Sequence, residues 1–312
     1  MAAEAGAGWK PMGWNGVRLN VPAHWETSVL GPFHLQLDDG AGPALELSWR
    51  RLSRGLSSEP HLKRLIRQFR HRPGVEFREG PVPREWREVL DSFSANAFAW
   101  SAADTRGEGA LLSCPLCGTV TLVQFLSRLE PVEPRLAVEV LRSFRDHSEN
   151  EMVTWALFGM HAEVPEGFRL EEHRFSPGYY ELRFAQGGEK LTLRRWSPAN
   201  VILRGRDLRS WFLATMVGNP LASRIFPREG GYRGHAALEG EKGPGSGGLS
   251  RVRAFFRRTD RYGRMRIWHR AHDNQIMGIE VCGPRLPDEA RFEEICDHYR
   301  VVSGTELPGE GP

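Results

Sequence analysis

The sequence predicts an α+β protein built from two tandem copies of one unit, each an antiparallel sheet covered by helices. Three observations lead there. The chain has 312 residues, and at about 150 residues per domain that length suits two domains. The stretch Gly16 to Trp25, GVRLNVPAHW, recurs at an offset of 143 as Gly159 to Phe168, GMHAEVPEGF, keeping the glycine, the Val-Pro pair and the closing aromatic. Two apolar helix stripes then follow each copy in the same order, and self-similarity of this kind marks a repeated supersecondary unit.

After the opening motif each copy shows a strand pair. Leu35, Leu37, Leu45 and Leu47 alternate around the turn residues Asp39 to Gly42, and Leu182, Phe184, Leu191 and Leu193 alternate around Gln186 to Gly188. Period-two alternation flanking a glycine-rich turn is a hairpin signal. A helix comes next. Leu62, Leu65, Ile66 and Phe69 fall at i, i+3, i+4 and i+7, with Ser58 as N-cap and Pro60 in the first turn. Leu208, Trp211, Phe212 and Thr215 repeat those phases 146 positions on, with Asp207 as N-cap and Gly218 and Pro220 as stop signals. Further strands are expected near 89–101, 109–114 and 118–126, and again near 249–258, 264–269 and 275–281. A final helix closes each copy, with stripes Ala137, Val140, Leu141, Phe144 and, 155 positions on, Phe292, Ile295, Cys296, Tyr299. The expected boundaries are a tail over 1–13, a first domain over 14–150, a second over 151–303 and a tail over 304–312.

Composition narrows the function classes. With 40% hydrophobic and 26% charged residues, the chain is a globular protein with material for a sizeable core, neither disordered nor collagen-like. A net charge of +3 from 42 basic and 39 acidic residues does not by itself imply nucleic acid. No apolar run approaches the roughly 18 residues of a membrane span, so no membrane partner is expected. Met1 to Gly8 lacks the features of a secretory signal. Four cysteines make no disulfide framework, and with no export signal the expected location is the cytoplasm, where thiols stay free or bind metal.

The carrying segments Val21-Pro22-Ala23-His24-Trp25 and Val140-Leu141-Arg142-Ser143-Phe144 resemble the PsbP-like α/β sandwich, whose members open through a Pro-x-x-Trp-like turn and end on a helix with a Ser-Phe pair. The resemblance covers residues 14–147 and again 155–302. The second copy departs from it, with Phe168 for the tryptophan and His298-Tyr299 for Ser-Phe. It implies a binding or assembly role and transfers no catalytic residue.

The sharpest chemical motif is Cys114-Pro115-Leu116-Cys117-Gly118, between two expected strands and so on a hairpin tip. Two thiolates at i and i+3 on a tight turn can grip one Zn²⁺, which needs two further ligands. At the offset of 155, Cys114 maps onto His269 and Cys117 onto His272. Either each copy keeps its own remnant pair, or the four residues meet in one Cys₂His₂ site. His147, Cys296 and His298 are further candidate ligands.

A second feature is the arginine-rich stretch Arg251 to Arg270, with Arg251, Arg253, Arg264, Arg266 and Trp268 as a candidate face for an anion or single-stranded nucleic acid. A solvated sheet face explains the same charges. Hydrolase elbows, P-loops and His-Glu-x-x-His are absent. The function read from these features is a non-enzymatic binding or assembly module that offers a sheet face or inter-domain cleft to a protein or small ligand. A zinc-binding protein with a structural site at the cysteine hairpin is the alternative, and a thiol-dependent redox enzyme a further one.

Overall fold

The structure is a computed structural model that describes residues 8–51, 74–128, 132–148, 150–216, 227–243 and 262–302. The expected helix carrying Leu62 to Phe69, most of the glycine-rich loop after Lys242, Arg251, Arg253 and the tail over 304–312 lie outside the described residues.

The chain opens with β1 (Trp9–Trp14) and β2 (Val17–Pro22). Asn15 and Gly16 join them with φ of 45° and 95°, the double positive φ of a two-residue hairpin turn whose twist matches its strands. Then come β3 (Glu26–Gly31), β4 (His34–Asp38), β5 (Pro43–Arg51), β6 (Glu76–Gly80), helix α1 (Arg84–Val89), β7 (Ser94–Ser101), β8 (Arg106–Ser113), β9 (Thr119–Ser127) and helix α2 (Pro134–Ser143). A second opening hairpin follows, β10 (Met152–Leu157) and β11 (Met160–Pro165), turning at Phe158 and Gly159 with φ of 52° and 76°. The remaining strands are β12 (Arg169–Ser176), β13 (Tyr179–Gln186), β14 (Glu189–Trp196), β15 (Arg228–Tyr232), β16 (His235–Lys242), β17 (Tyr262–Arg270), β18 (Gln275–Gly283) and the short β19 (Arg300–Val301). Helices α3 (Ala199–Leu203), α4 (Leu208–Met216) and α5 (Glu289–Asp297) lie among them.

Two compact units result: residues Met1–Glu163 with Arg300–Pro312, and residues Val164–Tyr299. The first holds a five-stranded sheet in the order β19-β11-β10-β1-β2 and a seven-stranded sheet in the order β3-β4-β5-β9-β8-β7-β6. Strands 152–157 and 160–165, assigned by sequence to the second copy, thus share a sheet with the opening hairpin of the first. The second unit holds a seven-stranded sheet, β12-β13-β14-β18-β17-β16-β15. The two seven-stranded sheets have the same strand order. The turn after each opening hairpin also closes alike: Trp25 N–H donates to Pro22 O at 3.0 Å and Phe168 N–H to Pro165 O at 2.9 Å.

The fold is mainly β, not the expected α+β arrangement of helix-covered sheets. Among the described residues 55% are strand and 16% helix, in three antiparallel sheets. Of the helices that the stripes indicated, the three within the described residues form: α2 buries Ala137, Val140 and Leu141, α5 buries Phe292, Ile295 and Cys296, and Asp207 caps α4 by accepting from Ser210 N–H at 2.8 Å. They are 5 to 10 residues long, too short to cover seven strands. The surplus strand comes from edges. β3, β6, β12 and β15 are mostly exposed and polar, as in Arg169–Ser176, RLEEHRFS. Edge strands of this kind carry no apolar alternation to read, because charge on an edge opposes pairing with another chain. The strand expected over 89–101 starts later, at Ser94, and residues Arg84–Val89 form α1, which inserts Trp86 beside Phe125, ring centroids 5.8 Å apart.

The core of the first unit lines up Leu35, Leu37, Leu45, Leu47, Phe125 and Phe144, with Trp14 edge-on to Trp155 at 5.2 Å. In the second unit Trp196, Trp211, Phe212, Ile267 and Ile276 form a cluster under α3 and α4. Among the described residues no helix is long and apolar enough to cross a membrane.

Candidate metal centre

The loop Cys114 to Gly118 joins β8 to β9. Cys114 N–H donates to Thr119 O at 2.9 Å, and Gly118 N–H to Cys114 O at 3.1 Å. Gly118 takes φ of 72°, a left-handed conformation that glycine adopts without a Cβ penalty. This closes the loop tightly and turns both sulfurs to one side.

The second half of the centre comes from the segment after α2. That helix ends at Phe144, whose backbone is already extended (φ −66°, ψ 131°). Arg145 then pairs with Arg18 of β2 in an isolated bridge, with N–H···O distances of 2.8 Å in both directions. Ser143 Oγ accepts from Asn20 N–H at 2.7 Å, a further tie to β2. Held this way, the chain delivers the next two residues, Asp146 and His147, to the cysteine hairpin.

One ligand atom from each of Cys114, Cys117, Asp146 and His147 lies within 4.8 Å of all the others. Cys114 Sγ is 3.6 Å from His147 Nδ1, and Cys117 Sγ is 3.5 Å from Asp146 Oδ2. With Zn–S near 2.3 Å and Zn–N or Zn–O near 2.0–2.2 Å, the edges of a tetrahedral site are roughly 3.6 Å. The two sulfur contacts match that length. Asp146 Oδ1 sits 2.7 Å from His147 Nδ1, a hydrogen bond that must open if Nδ1 is to face a metal.

The Asp146 side chain is only 1% exposed, and His147 is its ion-pair partner among the described residues. Burying a carboxylate costs several kcal/mol unless charge and hydrogen bonds compensate, and a cation between the four groups would compensate it. The Cys117 thiol is raised from 9.0 to about 11, chiefly by burial and also by the Asp146 charge, against the hydroxyl and N–H of Thr119, which favour the thiolate. Thr119 Oγ1 is 3.0 Å from Cys117 Sγ and its N–H donates to that sulfur at 3.4 Å. A raised thiol is the reverse of what a reactive cysteine needs. A divalent metal would displace that proton.

The sequence reading therefore has its cysteine pair in the cluster, and His147 with it. Asp146 went unread, although a carboxylate beside a candidate histidine was the available signal. His269 and His272 are not members. His269 lies one residue before the end of β17, paired with Ile276, and burial and nearby His235 lower its pKa. His272 is 97% exposed in the next turn, 3.5 Å from Asp273. The pairing register also corrects the match between hairpins. Gly118 in one loop and Asn274 in the other (φ 53°) are the left-handed residues that end them, and Thr119 and Gln275 open the next strands. Cys114 and Cys117 thus correspond to Arg270 and Asp273, one residue past the histidines, because the hairpin offset exceeds the helix offset of 155 by one. Cys296 is buried, its thiol pushed up to about 12 mainly by burial, and His298 Nδ1 contacts Glu294 O at 2.8 Å; neither belongs to the cluster.

The arginine face does not stand open either. Arg266 is 8% exposed, with Nε donating to Glu239 at 2.7 Å and both terminal nitrogens to Glu293 at 2.6 and 2.7 Å. Its guanidinium lies over the Tyr232 ring at 4.4 Å. Arg264 donates to Pro287 O at 3.0 Å and pairs with Glu241 at 3.0 Å. Trp268 is buried between Tyr232 and Tyr299. Register explains the loss: Arg264 and Arg266 lie directly opposite Glu241 and Glu239 on β16, and opposite charges across a strand pair neutralise each other.

No known protein family matches the chain, and no curated protein matches it in sequence.

Proposed function

We propose that this chain is a zinc-binding protein whose metal is structural, in a non-enzymatic binding or assembly module. The reading rests on the convergence of two sulfurs, one imidazole nitrogen and one carboxylate oxygen within 4.8 Å. A mixed S₂NO donor set suits Zn²⁺ and disfavours Mg²⁺ or Ca²⁺, which take oxygen ligands. Four protein donors fill a tetrahedron and leave no position for substrate, which is the pattern of a structural rather than a catalytic zinc. The metal would staple the β8–β9 hairpin to the segment after α2. The thiol-dependent redox alternative has the raised Cys117 thiol against it. Zinc also needs reduced thiols, which fits a reducing compartment such as the cytoplasm.

The test is metal analysis of the purified chain by mass spectrometry, together with cobalt substitution. About one equivalent of zinc is expected, with thiolate-to-cobalt charge transfer and a tetrahedral d–d band in the cobalt form. Less than about a tenth of an equivalent, with no uptake on adding zinc, would remove the reading.

A further inference from the structure

A cavity of about 370 Å³ lies in the first unit against its five-stranded sheet. Three arginines from three elements line it: Arg18 on β2, Arg145 after α2 and Arg300 on β19. One carboxylate, Glu163, shares the lining, along with His161. His161 and Arg300 are directly paired across β11 and β19, and Arg18 faces Arg145 across the isolated bridge. The lining therefore comes in matched positions: Arg145 and Arg300 are 155 apart, as are the final helices, and Arg18 and His161 are 143 apart, as are the opening motifs.

These arginines differ from the interior ones. Arg194 is spent between Glu181 and Glu280, both at 2.8 Å, and Arg266 between Glu239 and Glu293. Arg18 and Arg300 have no ion-pair partner among the described residues. Arg145 donates through Nη1 to the carbonyls of Arg142 and Phe144 at 2.9 and 2.7 Å. That ties down one nitrogen and fixes the direction of the group. Three guanidinium groups around one concavity, with one carboxylate against them, leave an excess of positive charge that an external anion would balance.

We propose that this cavity binds a small phosphorylated molecule. Guanidinium groups recognise phosphate oxygens bidentately, and three of them arriving from separate elements suit a tetrahedral dianion better than a planar carboxylate. The volume exceeds that of phosphate alone, and Asn20, Ser143 and Glu163 share the lining, so the remainder of the ligand is polar. The proposal does not depend on the metal centre.

Calorimetric titration of the full chain tests it, with inorganic phosphate and phenyl phosphate as probes and acetate and chloride at matched ionic strength as controls. Saturable binding of both phosphates at about 1 mM or tighter is expected. The double variant Arg18→Ala/Arg300→Ala should weaken it at least about tenfold, and Arg300→Lys alone by less. Circular dichroism and thermal midpoint show whether the variants fold. No binding at about 10 mM phosphate, equal binding of acetate, or undiminished binding by a folded double variant would each overturn it.

Discussion

The hairpins β8–β9 and β17–β18 have the same frame and different chemistry. Each lies beside the strand that leads its sheet into the second half, β5 with β9 and β14 with β18. Each has a short loop, five and four residues between the strands, ending on a left-handed residue, Gly118 or Asn274. Where the first carries Cys114 and Cys117, the second carries Arg270 and Asp273, whose side chains pair at 2.5 Å. Where Asp146 and His147 follow α2, Val301 and Val302 stand at the matching offset after α5. One loop closes with a local ion pair. The other needs partners from a distant segment, and those partners include a buried carboxylate. The same backbone thus supports a self-sufficient turn and a ligand-dependent one.

The sharpest break in this comparison is removal of the sulfurs. Cys114→Ser with Cys117→Ser should take zinc from about one equivalent to less than about a tenth, and the thermal midpoint should stop responding to chelators. Changing the distant half comes next. Asp146→Asn keeps the shape but removes the charge, and zinc affinity measured by competition with a chromophoric chelator should fall about 10- to 100-fold. An unchanged affinity would show that Asp146 is a bystander.

A pH experiment follows in size. In the metal-free protein the folded state holds the Cys117 proton more tightly than the unfolded chain does, from 9.0 up to about 11. The folded state therefore binds more protons in that window, so this stability is complete below pH 9 and is lost as pH rises toward 11. Denaturant titrations should show metal-free wild type losing stability across that window relative to Cys117→Ser. The smallest effect belongs to the other hairpin. Arg270→Ala should cost only about 0.5–1 kcal/mol, as partly exposed ion pairs do, and should leave the zinc content unaltered. A change in zinc content there would undo the separation between the two loops.

Legibility differed from element to element for physical reasons. The alternating leucines of β4 and β5 and the stripes of α2, α4 and α5 were readable because each buries one face against a core, and burial imposes a period. The edge strands bury almost nothing and left no period. The first strand went unread: β1 (Trp9–Trp14) falls largely in the expected tail over 1–13, although Asn15-Gly16 is a hairpin dipeptide, and nothing local says that β1 pairs with β10. In the site, the Cys-x-x-Cys was legible as half a metal centre, and His147 as a candidate. The choice of Asp146 and His147 over His269 and His272 was not, because it follows from the backbone bridge between Arg145 and Arg18, a contact between positions 127 apart.

The sequence by itself determined where local periodicity and turn chemistry rule: the core strands, the short helices, the cysteine hairpin and the recurrence of the opening motif. Tertiary structure alone decided the balance of strand over helix and the partners of each charge. It paired Arg264 and Arg266 with acids on a neighbouring strand and on α5, and left Arg18 and Arg300 facing a cavity. The reason is that a side chain's charge is written in the sequence, while the group that neutralises it is set by strand register and by where the chain returns.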